Sequence, residues 1–157
     1  MHTKFLLFPL LFLVCAATLI STGKYAESRA LFREAMAEGA GIVRLMESQD
    51  LEVVKVDMDL VNTAVNKQTL KVLSTDFTYF ITAVGQPSRI EDLDIALYYL
   101  NDGNATLVDK DQEADNSPVI KFKPYVAGTY VIQIIAAKMK KGYEQSMGFY
   151  FLTIAHD

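Results

Sequence analysis

The sequence predicts a mainly β fold: an antiparallel β-sandwich preceded by one amphipathic helix. Three observations carry this. Residues 24–49 place apolar side chains three and four apart, the spacing of one helix face. From Leu51 the apolar spacing changes to two, the period of a strand with one buried side. The rest of the chain breaks into short runs of this kind separated by polar turns, and many short strands in series pack as two sheets. The chain thus divides into residues 1–22, 23–49 and 50–157.

Residues 1–22 have the anatomy of a secretory signal. Lys4 gives a positive start, Phe5 to Ile20 is apolar and uncharged, and Ser21-Thr22-Gly23 follows. The apolar run is shorter than the roughly 20 residues of a membrane-spanning helix. Cleavage after Ala17 and cleavage after Thr22 both fit, with an uncleaved anchor as the alternative. Cys15 is the candidate for lipidation, although Val14 stands where a lipobox carries Gly, Ala or Ser. This signal predicts a periplasmic or secreted protein.

In the helical segment, Tyr25, Ala30, Leu31, Phe32, Ala35, Met36, Ile42, Val43, Leu45 and Met46 form the apolar stripe. Glu27, Arg29, Arg33, Glu34, Glu38, Arg44 and Glu47 form the polar side. Gly39-Ala40-Gly41 interrupts the pattern. A glycine costs about 1 kcal/mol relative to alanine inside a helix, so a break or kink is expected there. The helix is expected to cap one open end of the sandwich, with a spacer or coiled-coil arm as the alternative.

The strands follow in order. Val54, Val56, Met58 and Leu60 alternate with Lys55, Asp57 and Asp59 over Leu51–Leu60. Thr69–Ser74 and Asp76–Val84 come next, the second rich in aromatic and β-branched residues, and Gly85-Gln86-Pro87-Ser88 ends it. Leu93–Leu100 leads into Asn101-Asp102-Gly103-Asn104, where Asp-Gly accepts the positive φ of a tight hairpin. Ala105–Val108, Val119–Lys123, Thr129–Ala137 and Gly148–Ala155 complete the set.

Composition excludes several function classes. Cys15 is the only cysteine, so a chain cleaved after it has neither disulfide nor reactive thiol. Loss of Lys4 with the signal moves the net charge from −4 to −5, and an acidic chain without a basic patch does not suit nucleic acid. Lys138, Lys140 and Lys141 form the one basic knot, in a turn. His156 is the one histidine outside the signal and sits beside the chain end, a poor place to hold a catalytic base. Zinc has no His/Cys set, and Gly39-Ala40-Gly41 lacks the Lys-Ser/Thr of a phosphate loop.

The remaining candidates are acids and aromatics. Asp109, Asp111, Glu113 and Asp115 alternate in what reads as an acidic loop, a pattern that can converge on Ca²⁺, which takes six to eight oxygen ligands. An EF-hand is excluded, because Ala114 occupies its glycine position and Ile120 its bidentate glutamate position. Asp92 and Asp94, two apart at a strand start, can join the loop as metal ligands or form an acid/base pair. The competing reading makes all six acids solvated charges or turn acceptors. A small carboxylate-dependent hydrolase is the remote alternative. Tyr98 and Tyr99 face opposite sides of their strand, as do Tyr150 and Phe151. Outward aromatics therefore either stack on sugars, dock a protein, or lie beneath the helix.

The order from Glu91 resembles a known family. It runs through Asp92-Leu-Asp94, the Asp102-Gly103 turn, the acids of 109–115, Pro124-Tyr-Val-Ala-Gly-Thr-Tyr130, and a final aromatic strand from Gly148. This succession is similar to that of the bacterial pre-peptidase C-terminal family, a β-sandwich module of jelly-roll type. The resemblance implies an exported accessory module rather than a catalyst, with an envelope protein or polysaccharide as partner. It adds support for calcium, and for a structural role of Asp94 as acceptor of backbone N–H bonds. No peptidase accompanies the module in this chain.

Overall fold

The computed structural model describes residues 7–157, with side chains from Ala26 onward. The expected export signal over residues 1–22, Cys15 included, lies outside the residues whose side chains are described. One helix, α1 (Leu7–Ser48), precedes eight strands. They are β1 (Glu52–Val61), β2 (Lys67–Leu73), β3 (Tyr79–Gly85), β4 (Ile90–Asn101), β5 (Asn104–Asp111), β6 (Val119–Phe122), β7 (Gly128–Met139) and β8 (Gly148–His156). The first sheet has the order β1-β8-β3-β6 and the second β2-β7-β4-β5, with antiparallel neighbours throughout. The chain changes sheet at every connection except the β4–β5 hairpin. This is a jelly-roll sandwich.

Every expected strand is present, and the β4–β5 turn has the expected chemistry. Asp102 and Gly103 both take positive φ (48° and 80°), and Asn101 pairs with Asn104 across a two-residue turn. The core lies between the sheets. Ile81, Ile120, Leu152 and Ile154 from the first meet Leu93, Ile95, Leu97, Ile132 and Ile134 from the second. Each such side chain contributes about 2 kcal/mol of hydrophobic stabilisation.

Helix α1 departs from expectation twice. It runs unbroken through Gly39-Ala40-Gly41, and it lies on the outer face of the first sheet rather than over an open end of the sandwich. One contact accounts for both. A Cβ built on Gly39 would fall 2.2 Å from Cγ of Phe151, so only glycine lets the helix backbone rest on that ring. Packing against the sheet compensates the intrinsic helix cost of glycine. Ala35 and Met46 are buried on the same side, and Phe32 meets Phe149 edge-on with centroids 6.2 Å apart.

The helix also explains β8. Tyr150, Leu152 and Ile154 belong to the core, while Phe149, Phe151, Thr153 and Ala155 face the helix side. Both faces are covered, so the strand reads as a nearly continuous apolar run. Val56, Met58 and Leu60 of β1 pair with Thr153, Phe151 and Phe149, so the apolar alternation of β1 serves the helix side. A register shift between Val53 and Lys55 changes the phase and returns Val54 to the core.

Candidate functional site

The six candidate acids separate into two groups. Asp109 and Asp111 lie within β5 and not in a loop, because β5 stays paired with β4 as far as Ile95↔Asp111. Glu113 and Asp115 occupy the loop that follows. Asp111 accepts hydrogen bonds from the amides of Glu113 (2.9 Å) and Val119 (2.8 Å), and Asp115 accepts one from Ser117 N (2.7 Å). Asp109 accepts from the Lys110 amide at 2.8 Å. These acids shape turns and join β5 to the start of β6.

Asp92 and Asp94 lie inside β4, where the register shifts on both sides of Asp92. Asp94 is only 8% exposed, and among the described residues no backbone amide donates to it, contrary to what the family resemblance implies. Burial pushes its carboxyl up, and the charges of Asp92 and Asp111 add to the shift against Lys110. Asp92 is pushed up by burial and then by Asp115, and its Oδ1 is buried without a partner. Acid–base catalysis calls for two carboxyls driven apart, whereas these two are driven in the same direction. Among the described residues, no group of three His, Cys, Asp or Glu side chains is placed to hold a metal ion.

His156 differs from expectation: it is held firmly. Its ring stacks on Phe77 with centroids 4.0 Å apart, meets Tyr79 edge-on, and is buried. Pairing of β8 with β3 as far as Tyr79↔His156 fixes it there. Its polar neighbours are the Asp157 carbonyl and Glu52, neither of them a hydroxyl or thiol that the ring could deprotonate.

The two outer sheet faces differ. The first is covered by α1. On the second, the register lines up Leu70, Val131, Tyr98 and Leu107 in one row across β2, β7, β4 and β5. The adjacent row is Val72, Thr129, Leu100 and Ala105. Leu70 is 63% exposed, Val72 70% and Leu107 48%. The Tyr98 hydroxyl donates to Gln133 Oε1 at 3.2 Å, which holds the ring in the row. The outward aromatics are therefore divided: Phe149 and Phe151 lie under the helix, and Tyr98 faces away from it.

This row was not legible in the sequence. Leu70 and Val72 alternate with Lys67, Thr69 and Lys71, which by itself would send the apolar pair inward. The structure inverts that. Lys67, Thr69 and Lys71 stand opposite the core residues Ile134, Ile132 and Tyr130, at the margin where β1 and β2 close the sandwich. There Lys67 pairs with Asp59 (2.7 Å), Thr69 bonds Asp57 (3.3 Å), and Lys71 reaches the Val54 carbonyl (3.4 Å).

No family model matches the sequence, and no curated protein does. Among solved structures the chain is similar to the crystal structure of the Yersinia pseudotuberculosis-derived mitogen. The TM-score is 0.46 at 9% identity, over 64% of this chain and 82% of that one.

Proposed function

We propose that this protein is an exported, non-catalytic binding module of the cell envelope, and that it recognises its partner through the outer face of the second sheet. One observation carries the reading: the chain packs its own helix on the first sheet, while on the second Leu70 and Leu107 stay exposed in a row with the half-buried Tyr98 and the buried Val131. A contiguous apolar patch of this kind marks an interaction surface more often than a solvated one. Export rests on residues 1–22, and an accessory role is supported by the resemblance to pre-peptidase C-terminal modules. The flat apolar row favours a protein partner over a polysaccharide, because sugar recognition needs more polar groups beside the ring.

The test is photocrosslinking in the cells that make the protein, from a photoreactive residue at position 70 or 107 and, as control, at Ala37 on the exposed side of the helix. One dominant envelope protein captured from the sheet positions and not from the helix supports the reading. Equal capture from both, or none, refutes it.

A second reading, a calcium-stabilised structural module, is favoured by the unpartnered Asp92 Oδ1 and the buried Asp94 carboxyl. A cation bound to the native state alone would raise the melting temperature by mass action. A rise with calcium that Asp92→Asn abolishes supports it, and an unchanged melt removes it.

A further inference from the structure

The sandwich has two lateral seams, and they are built differently. Between β1 and β2 the seam is closed by the Lys67–Asp59, Thr69–Asp57 and Lys71–Val54 bridges. Between β5 and β6 it is bridged at one end by the Val119 amide on Asp111 and opens beyond that bond. Each of these strands pairs on one side only, so both edges present free N–H and C=O groups beyond the Val119 amide, which Asp111 holds. Two hollows lie along the opening. One is an apolar cup of about 250 Å³ lined by Tyr99, Val108, Phe122, Tyr125, Val126 and Tyr130. The other, about 460 Å³, is bordered by Asp109, Asp111 and Glu113, by Lys110 and Lys121, and by Val119 and Ile120 of β6. They are contiguous on both strands: Val108 precedes Asp109, and Lys121 precedes Phe122.

Acids outnumber bases at the opening: Asp109, Asp111 and Glu113 line the second hollow together with Lys110 and Lys121. Asp109 and Asp111 stand opposite the core residues Leu97 and Ile95, so they lie on the sandwich side of β5. Both lysines line the hollow, but their ammonium groups have other contacts. Lys110 stands opposite Ala96 on the outer face and donates to Gln112, and Lys121 sits 5.3 Å from the centroid of Phe80 on the outer face of the first sheet. The seam therefore offers an apolar cup, an adjoining hollow with more acids than bases, and two strand edges that are free beyond the Val119–Asp111 bond.

We propose that this open seam is a second binding site, and that its occupant is an extended polypeptide carrying an apolar or aromatic residue close to a basic one. The apolar side chain fills the cup beside Tyr125, which is 94% exposed, and the basic side chain meets Asp109 and Glu113. The peptide backbone pairs with a strand edge, the arrangement in which main-chain bonds supply affinity and alternate pockets supply specificity. The site is separate from the sheet-face row and goes beyond the proposed function, since neither Tyr125, Asp109 nor Glu113 belongs to that row.

The test uses full-length protein and two fluorescein-labelled, end-blocked peptides of alternating Thr and Ser. Each carries one Phe and, two residues on, either Arg or Glu; that spacing puts both side chains on one strand face. The Arg peptide is expected to bind at least about tenfold more tightly by fluorescence anisotropy, a preference that added salt erodes. Tyr125→Ser, and Asp109→Asn combined with Glu113→Gln, are each expected to weaken it at least about fivefold with an unchanged melting temperature. Asp111 is left alone because its oxygens hold two backbone amides. Equal affinity for the two peptides, binding of neither, or indifference to the variants overturns the proposal. Cellohexaose is titrated alongside. If it binds through Tyr125 and the peptides do not, the seam is a sugar site and the peptide reading falls.

Discussion

At Gly39 the absence of one methyl group decides where the helix can sit. The Phe151 ring occupies the space a Cβ would need, and both residues are buried. Gly39→Ala must push the helix off the sheet or force the ring out of its rotamer, a cost of about 1–3 kcal/mol. A lower melting temperature for the variant checks this, together with a smaller loss in a Phe151→Leu background, where the steric conflict is relieved. Asp94 provides the opposite case, a residue that weakens the fold at neutral pH. Its carboxyl is pushed up by burial and by Asp92 and Asp111, so the folded state favours the protonated form. The native chain then binds more protons than the unfolded one between the ordinary Asp range and the raised value. Stability is lost as pH rises through that window, and the full cost is present above it. Asp94→Asn is expected to raise the melting temperature at pH 7, with the gain shrinking as the pH falls through that window and gone below the ordinary Asp range. A gain that does not depend on pH would contradict this.

Among the elements, α1 is held to the sandwich by packing, by the exposed Glu27–Arg89 ion pair (3.3 Å) and by Glu34. Glu34 accepts from Gln86 Nε2 (3.0 Å), from the Ser88 amide (3.0 Å) and from the Ser88 hydroxyl. Gln86 is buried, and its Oε1 in turn accepts from the Phe149 amide at 3.2 Å, so the connection passes from helix to loop to β8. Burial pushes the Glu34 carboxyl up, but the bonds from Ser88 and Gln86 outweigh it and hold it below the usual range. A lowered carboxyl contributes stability above its unfolded value and loses that contribution as pH falls through the folded one. Glu34→Ala leaves the Gln86 amide without this acceptor, and a loss of about 1–3 kcal/mol is expected. Faster hydrogen exchange in α1 than in β4 and β7 would show that the helix loosens first. Exchange accelerated equally in all three would mean that Glu34 supports the whole fold and not the helix contact.

For the whole molecule, the two sheets share a core but not a fate, since the helix packs on the outer face of one and leaves that of the other without a helix. Leu70→Lys and Leu107→Lys remove exposed apolar surface only. Each is expected to change stability by no more than about 0.5 kcal/mol while abolishing capture of the partner from the sheet face. A thermal melt and the crosslinking experiment together check both halves; a large drop in melting temperature would mean that the row is structural.

Much of this fold is determined by the sequence alone. The change of period at Leu51, the eight runs and the Asp102-Gly103 turn encode strands and a hairpin through short-range chemistry. Side-chain alternation and positive φ are set by residues close together in the chain, so they can be read there. Only the tertiary structure decided how those pieces meet. Leu70 and Val72 face outward while Lys67 and Lys71 close a seam, because the register of β2 on β7 sets the face. Gly39 sits unbroken in a helix because a ring 112 residues further along the chain fills its missing side chain's place. Asp109 and Asp111 belong to a strand and not a loop, because β4 keeps them paired. In each case the deciding partner is distant in the chain, and a local pattern carries no record of it.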